Sequence, residues 1–304
     1  MDAAQLQPLV ERWLPTQRWF AGKGRSAQVD VAPLVELDEG PAPVEVWTAE
    51  VTYDDGGTET YQLPLVSHPT PSDSLEHVLL GTIETESGPV WIYDALHDKD
   101  VTQVWLRGVK DESAVGSLRF SRYVEADEIP VDETSLVLTG EQSNTSLIYG
   151  DLAIVKVFRR LQIGLNPDVE VHAALGKLGA RHIARLLGSV EQDIDGDVRS
   201  LAMTQEFLTT ATDGWEAAKA SVRDLLAEAD LHADEAGGDF AGEAHRLGLA
   251  IAEIHQDLAT AFGTSTAEAD EIAARADAMR GRLDAAIEIV PELADLANGL
   301  RAAF

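Results

Sequence analysis

The chain has 304 residues, 45 % hydrophobic and 25 % charged, a composition typical of a folded globular protein and not of a disordered or collagenous chain. Its 53 acidic and 23 basic residues give a formal net charge of −30, which repels phosphate backbones and anionic lipid surfaces, so we expect neither nucleic acid nor membrane as a partner. The absence of cysteine excludes disulfides, thiolate metal ligands and a cysteine nucleophile.

The first twenty residues do not form a secretory signal. Asp2 and Glu11 occur early, and no basic segment followed by an apolar block is present. No stretch of the chain approaches the roughly 20 apolar residues needed to cross a bilayer. The sequence therefore predicts a cytoplasmic protein.

Strand-like segments dominate the first half of the chain. In them, β-branched and aromatic residues alternate with polar residues, and the Asp-Asp-Gly-Gly segment at 54–57 predicts a hairpin turn between the first two. The predicted strands are 44–53, 58–66, 89–96, 101–109 and 135–149, and the last of these contains the polar turn 140–146.

After Asn166 the pattern becomes helical, with apolar residues at three- and four-residue spacing. The predicted helices are 168–179, 213–230, 239–262, 266–289 and 291–303, interrupted by a strand at 200–208 that follows an acidic turn at 191–197. Asp193, Asp195 and Asp197 in that turn also suggest a calcium loop, but Thr204 stands where such a loop needs a bidentate Glu, which favours a plain turn. The last helix has no closing cap, so we expect the chain to be part of a longer protein.

A polar turn and a strand lysine form the strongest local constellation. Small polar residues from Gly140 to Ser146 lie between two predicted strands and can present N–H groups and hydroxyls to a triphosphate. Lys156 lies on the next strand, and Asn166-Pro167 predicts the start of a helix whose first turn contains Glu170. We expect Glu170 to pair with Lys156 and hold it against the phosphates.

Turn, lysine and glutamate together form the upper half of a kinase-like nucleotide site. The same residues also fit an ordinary hairpin, an edge lysine and a helix-capping glutamate. The glycine-rich pattern of protein kinases is absent, as are Walker, serine-elbow and zinc-protease motifs.

Longer stretches carry a family resemblance. The segments EQSNTS at 141–146, AIVKVFRR at 153–160 and GLNPDVEVHAAL at 164–175 resemble actinobacterial maltokinases, which belong to the aminoglycoside-phosphotransferase-like kinases. QRWFAGKGR at 17–25 and two later stretches, 218–231 and 237–255, are similar to the same family.

The resemblance implies an ATP- and Mg²⁺-dependent kinase that phosphorylates the anomeric hydroxyl of maltose, giving maltose 1-phosphate for α-glucan or glycogen synthesis. It implies that Lys156 contacts the phosphates and that Glu170 orients the lysine. The residues expected to cover the phosphates are Gln142, Ser143, Asn144, Thr145 and Ser146, and those expected beside adenine are Gln205, Glu206 and Phe207.

The resemblance also implies an α+β, bilobal, protein-kinase-like fold. We expect a β-rich N-terminal cap at 1–92, an antiparallel-sheet nucleotide lobe at 93–204, and the hinge and first helices of an α-helical lobe at 205–304. The basic and aromatic run at 18–25 of the cap fits a packed anchor better than an anion site, because tryptophan is usually a packing residue.

The catalytic segment of such a kinase is not in this sequence. The family needs an H-G-D-x-H type loop, whose aspartate accepts the sugar proton, and a later Mg²⁺-binding aspartate. Asp239 and Asp257 match only by residue type, since both lie in predicted helical context. We therefore assign no catalytic or metal-binding residue here, expect the catalytic aspartate beyond Phe304, and expect the 304 residues alone to be inactive.

Two other functions remain open. Actinobacterial glucosamine kinases are similar in the cap and much of the kinase body, so the acceptor could be glucosamine. The chain could also be a non-catalytic module that docks a kinase onto trehalose synthase, an enzyme with which maltokinases associate. Loss of an Mg·ATP-induced rise in melting temperature in Lys156→Ala would favour the nucleotide site over the docking module.

Overall fold

Two antiparallel sheets account for the β-rich part of the chain. The computed structural model describes residues 1–38, 40–138, 143–209, 213–227 and 240–303. Two compact units divide the chain, Met1–Leu258 and Ala259–Phe304, and both sheets lie in the first unit.

The first sheet, sheet A, belongs to the N-terminal region. In spatial order its strands are β1 (Ala27–Leu37), β2 (Val44–Tyr53), β3 (Thr58–His68), β5 (Gly88–Asp94) and β4 (Leu79–Thr85), and β11 (Arg160–Leu161) also pairs with β3. Gly56 and Gly57 have φ values of 93° and 90°, so the predicted hairpin turn between β2 and β3 is confirmed.

Helix α1 (Ala3–Trp13), which the sequence analysis does not predict, packs on sheet A. Its buried residues Leu6, Leu9, Val10 and Trp13 recur at the spacing of one helical face. The Asp2 side chain caps the helix by accepting a hydrogen bond from the Ala4 amide.

The second sheet, sheet B, is built from the middle of the chain. In spatial order its strands are β6 (Ala114–Val115), β7 (Leu118–Arg122), β12 (Leu186–Ile194), β13 (Asp197–Glu206), β10 (Ala153–Phe158), β9 (Asn144–Tyr149) and β8 (Ser135–Leu138). Asp195 and Gly196, both with positive φ, form the turn of the β12–β13 hairpin, which confirms the predicted turn and returning strand.

One predicted strand is wrong. Residues 101–109 contain helix α2 (Val104–Asp111), not a strand. Val104, Trp105, Gly108 and Val109 are buried at helical spacing, and Glu112 ends the helix in the left-handed conformation. The β-branched and aromatic residues that favour a strand locally are used here to pack against β7 and β12.

The remaining helices follow the predicted periodicity. They are α3 (Pro167–Leu178), α4 (Gly214–Ala227), α5 (Phe240–Phe262), α6 (Ala269–Ile289) and α7 (Ala297–Ala303). The predicted helix at 291–303 is divided, since Pro291–Leu296 forms a 3₁₀ helix before α7. Among the described helices, none is both long and apolar enough to span a membrane.

The predicted domain boundaries lie close to structural transitions. The last strand of the N-terminal meander ends at Asp94 and sheet B ends at Glu206, whereas the predictions place boundaries after 92 and 204. Because β11 adds to sheet A from later in the chain, sheet A does not consist of one continuous segment. The division into three domains stays a prediction.

Candidate functional site

The interior strand β10 directs its side chains alternately to the two faces of sheet B, which differ chemically. Lys156 lies opposite Ser146 of β9 and Met203 of β13, and Phe158 lies opposite Asn144. Since side chains alternate along a strand, these residues project from the same side of the sheet. We call this side the Lys156 face, and its members are Asn144, Ser146, Ile148, Ile154, Lys156, Met203 and Gln205.

Helix α3 and helix α2 lie on opposite sides of sheet B. The Lys156 amine lies 4.0 Å from a carboxylate oxygen of Asp168 in α3, so α3 is on the side of the Lys156 face. Tyr149, on the other face, donates a hydrogen bond to the carbonyl of Thr102 just before α2, at 2.7 Å. Helix α3 therefore lies on the side of the Lys156 face, and the start of α2 lies on the opposite side.

Thr145 does not face the lysine. It lies opposite Val157, and its hydroxyl accepts a 2.8 Å hydrogen bond from Nε of the buried Arg159. The pleat thus directs the Thr145 side chain away from Lys156, and the expected place of Thr145 in the loop over the phosphates stays a prediction. Asn144 and Ser146, by contrast, are on the lysine side, as the prediction requires.

A cleft of about 590 Å³ lies where β9 begins. Ser143 and Asn144 line one part of it, and Asn166, Pro167 and Asp168 at the start of α3 line another. The structure thus brings the described end of the predicted phosphate loop together with a helix N-terminus, whose N–H groups favour anions. Gln142, also predicted here, lies outside the described residues.

The ion pair of Lys156 differs from the predicted one. Among the described residues its carboxylate partner is Asp168, and Glu170 makes no ion pair with it. Residues 168 and 170 are separated by about 200° around a helix, so only one of them can face the sheet. The Asn166 side chain caps the helix by accepting from the Asp168 amide at 2.9 Å, and both Asp168 and Glu170 are exposed.

The predicted adenine hinge lies at the opposite end of β10 from the cleft. Glu206 pairs with Ala153, and Gln205 pairs with Ile154 on the Lys156 face. The amides of Glu206 and Phe207 are already used, donating to the carbonyls of Arg185 and Leu152 at 2.9 and 3.0 Å. These two amides are therefore not adenine donors in this structure.

The Leu208 amide is the next donor along the hinge. It makes no hydrogen bond within the described residues, and the Leu208 side chain is 51 % exposed. The sequence analysis does not identify Leu208, because the choice among successive hinge amides depends on which of them the neighbouring strand and loop already use.

The cap contributes the second wall of the cleft. Arg18, Trp19, Phe20 and Ala21 line it together with Ser143 and Asn144. The segment is fixed on sheet A, because the Ala21 amide donates to the Tyr61 hydroxyl at 3.2 Å and the Phe20 and Tyr61 rings lie 5.2 Å apart.

The sequence predicts that the run 18–25 packs as an aromatic anchor with its basic residues paired to acidic neighbours. This is confirmed for Phe20, which packs on Tyr61, and for Arg25, which pairs with Asp55 at 2.5 Å. The position of residues 18–21 beside Ser143 and Asn144 could not be predicted from the sequence. It depends on how sheet A meets sheet B.

A partly buried cluster around Glu59 supports the same segment. The hydroxyls of Tyr53 and Tyr61 both donate to Glu59 at 2.5 Å, and Arg160 contacts the other oxygen at 3.1 Å. Burial alone would raise the pKa of Glu59, but the two hydroxyls and Arg160 outweigh it and lower that pKa. Burial and then the bond to Glu59 raise the pKa of Tyr61, so Glu59 is anionic and Tyr61 neutral near pH 7.

The charge of the cleft lining is opposite in sign to the net charge of the whole chain. Two guanidinium groups and three amide side chains line it beside one carboxylate among the described residues; they are Arg18 and Arg160, Asn144, Gln162 and Asn166, and Asp168. In a protein of net charge −30 this set suits a phosphate-bearing ligand.

Of the two residues considered for catalysis by type alone, Asp257 does not line this cleft. Asp257 lies within α5, in the helical context expected for it, and Asp239 lies outside the described residues. The described ranges contain no group of three or more His, Asp or Glu side chains that could hold a metal ion.

The N-terminal region has a recognisable family signature. Residues 13–98 match the maltokinase N-terminal cap domain. The resemblance to maltokinases inferred from the sequence is thereby confirmed for this region, which contains α1 in part, sheet A up to β5, and the cleft residues 18–21. The match is 86 residues long, so it covers the cap region and not the other 218 residues of the chain.

Solved structures of glucosamine kinase have a similar fold. A complex with glucosamine, ADP and inorganic phosphate matches with a TM-score of 0.56 and 22 % identity over 99 % of this chain. A second crystal form matches with a TM-score of 0.59 and 22 % identity over 97 % of this chain. This likeness, with the antiparallel sheets described above, confirms the predicted α+β kinase-like fold class. The chain spans 66 % and 64 % of the length of those two kinases.

Proposed function

We propose that this chain forms the cap and nucleotide-binding part of an ATP-dependent sugar kinase whose acceptor is maltose, phosphorylated at its anomeric hydroxyl to maltose 1-phosphate. The observation that carries the proposal is the position of Lys156, on a sheet face between a cationic cleft and the hinge, with a maltokinase-like cap forming one wall of that cleft. The product would serve α-glucan or glycogen synthesis.

The residues of the Lys156 face suit a nucleotide extended along β10. The strand rises about 3.3 Å per residue, so its hinge end at Ala153 and its cleft end at Phe158 are roughly 16 Å apart. Lys156 would neutralise phosphate charge between these ends, and Asn144 and the α3 N-terminus would donate hydrogen bonds to the terminal phosphates. We assign the orienting carboxylate to Asp168 in place of Glu170, and the adenine contact to the Leu208 amide.

Mg²⁺ enters the proposal as the partner of the nucleotide phosphates, where it supplies neutralisation of phosphate charge. No protein ligand is assigned to it, because the described residues do not present a carboxylate set for it. The sequence also has no H-G-D-x-H loop. We therefore expect the 304 residues to bind Mg·ATP without transferring its phosphoryl group.

Nucleotide binding is tested by the rise in melting temperature on adding Mg·ATP. Binding at 100 times Kd stabilises the folded state by about 2.7 kcal/mol. We expect that rise in the wild-type chain and its loss in Lys156→Ala. The matched control is Lys177→Ala, near the C-terminal end of α3, which should keep the rise. Asp168→Asn should weaken binding more than Glu170→Gln does, and the reverse order would contradict the reassignment.

The acceptor has one alternative that the comparisons favour specifically. The similar solved structures are glucosamine kinases, whereas the matched cap domain is that of maltokinases, so glucosamine is the second candidate acceptor. Phosphoryl transfer from Mg·ATP to a panel of sugars, measured on the full-length protein, separates them. Turnover of maltose supports the proposal, and turnover of glucosamine alone would replace it.

We also propose a cytoplasmic location and association with trehalose synthase, both of which rest on the resemblance to maltokinases. A pull-down of trehalose synthase with the chain, in the presence and absence of Mg·ATP, tests the association. If the chain binds that enzyme but no nucleotide, it is a docking module and not a kinase part.

A further inference from the structure

One buried arginine contacts the cap, the end of sheet A and the phosphate-loop strand. The Nη2 atom of Arg159 lies 2.5 Å from a carboxylate oxygen of Asp94 at the end of β5, and its Nε donates to the Thr145 hydroxyl of β9 at 2.8 Å. The guanidinium carbon lies 4.7 Å from the centre of the Trp19 ring. The Arg159 and Asp94 side chains are 1 % and 2 % exposed.

A buried ion pair of this kind contributes little net stability. Removing both charges from water costs several kcal/mol per ion, and apolar residues of similar volume often hold such a position equally well. In addition, Nη1 of Arg159 is buried and has no hydrogen-bond partner within the described residues. A planar guanidinium does, however, fix the orientation of everything it contacts.

Two of the residues that Arg159 contacts belong to the segments that form the walls of the cleft. Trp19 itself lines the cleft and lies between Arg18 and Phe20, which do so as well. Thr145 lies between Asn144 and Ser146, whose side chains are on the Lys156 face. A shift of the Trp19 ring therefore displaces the cap wall, and a shift of Thr145 displaces the strand that leads out of the phosphate loop.

We propose that Arg159 is a positioning residue that couples cap segment 18–21 to strand β9, so that the cap sets the affinity of the cleft for nucleotide phosphates. The proposal rests on the nucleotide site of the proposed function and extends it to the cap. Because coupling between two sites is reciprocal, nucleotide binding must also restrain the Trp19 segment. The cap is then part of the nucleotide site and not a separate appendage.

The test compares the Kd for Mg·ATP, by calorimetry, with melting temperature in a set of variants. Thr145→Val keeps the side-chain shape and removes only the hydroxyl that Arg159 contacts, and Trp19→Leu removes the ring. Trp91→Leu is the matched control, a half-buried tryptophan of sheet A outside the cleft. Arg159 itself is left unchanged, because its substitution at a fully buried site endangers folding.

We expect Thr145→Val and Trp19→Leu each to raise the Kd at least about 5-fold, the lower end for coupled sites. The double variant should be weaker than wild type by less than the product of the two single effects, because both act through Arg159. Trp91→Leu should lower the melting temperature and leave the Kd unchanged. Nucleotide-induced change in Trp19 emission, measured as the difference between wild type and Trp19→Leu, gives the reciprocal readout.

Two results would overturn the coupling while leaving the nucleotide site in place. One is an unchanged Kd in both Thr145→Val and Trp19→Leu, and the other is an equal loss of affinity in Trp91→Leu and Trp19→Leu, which would show general destabilisation. If wild type itself binds no Mg·ATP, the proposed function fails and the coupling with it. Wild-type binding is therefore measured first, which distinguishes the two failures.

Discussion

Lys156 and Arg159 are two cations three residues apart in one segment, and their surroundings differ completely. Arg159 is buried, with a carboxylate at 2.5 Å and a hydroxyl at 2.8 Å, on the side of β10 that faces the cap. Lys156 is 23 % exposed, with a carboxylate at 4.0 Å, on the side that faces α3 and the hinge. Lys156 lies within β10, whereas Arg159 follows the strand and bonds to Thr145, whose side chain is on the face opposite Lys156.

This difference in surroundings indicates different roles for the two cations. A fully buried cation with a close carboxylate is not accessible to a ligand from solvent, and it acts by holding its neighbours in place. A partly exposed cation with a distant carboxylate loses little when it turns to an anionic ligand. Substitutions around Arg159 should therefore mainly lower stability, whereas substitutions of Lys156 should mainly weaken ligand binding.

Asp94→Asn should have the largest effect on stability. It leaves the guanidinium of Arg159 buried without a counter-charge, which costs about 3–5 kcal/mol. Urea unfolding followed by circular dichroism measures the loss. If Asp94→Asn is as stable as wild type, the Arg159 side of the sheet is not the rigid side and the comparison fails.

Gly188→Ala should come next. A Cβ added at Gly188 would lie 2.3 Å from Cγ1 of Val109 in α2 and 3.0 Å from the carbonyl oxygen of Ser121, so α2 must move off the sheet. Overpacking of this kind costs about 1–3 kcal/mol. Gly176→Ala is the control, because nothing lies within 4 Å of its Cβ and alanine favours a helix. Equal melting temperatures for the two variants would contradict close packing of α2 on β12.

Acid should weaken the Arg159 side of the sheet through His97. Burial first, and the charges of Arg159 and His77 after it, lower the pKa of His97 below 6.5 despite the opposing effect of Asp94. Below pH 6.5 the unfolded chain therefore binds a proton that the folded chain does not bind. This contribution to stability is present above pH 6.5 and is lost as pH falls from 6.5 toward the lower folded-state pKa.

The prediction for His97→Gln is a shallower loss of melting temperature between pH 7 and pH 5 than in wild type. His255→Gln, an exposed substitution in α5, is the control and should follow the wild-type slope. A slope unchanged by His97→Gln would show that His97 is not the group responsible.

Lys156→Met should have the smallest effect on stability without nucleotide. Its ion pair is long and partly solvated, so the expected change in the free energy of unfolding is less than about 1 kcal/mol. Urea unfolding of both Lys156→Met and Asp94→Asn measures which variant loses more unfolding free energy. A loss as large as that of Asp94→Asn would make Lys156 a structural residue and remove the basis for placing a ligand beside it.

The sequence predicts well the features that depend on neighbouring residues. The β2–β3 and β12–β13 hairpins, the strand that carries Lys156 and the Asn166 cap of α3 all follow from local pattern.

The errors arise where tertiary packing decides. The rotation of α3 relative to β10 selects Asp168 over Glu170, and no local pattern contains that rotation. Val104 and Trp105 favour a strand by residue type, yet burial between sheet strands and cap makes them helical. The contact of Trp19 with Arg159 joins segments 140 residues apart, so it could not be predicted from either segment.

A crystal structure of the chain with Mg·ADP tests the central claim most directly. The account predicts the phosphates within hydrogen-bond distance of Lys156 Nζ, beside Asn144 and the N-terminus of α3, and adenine beside the Leu208 amide. Nucleotide bound instead in the pocket between α3 and β12, which is lined by Tyr123, His172 and Lys177, would contradict it.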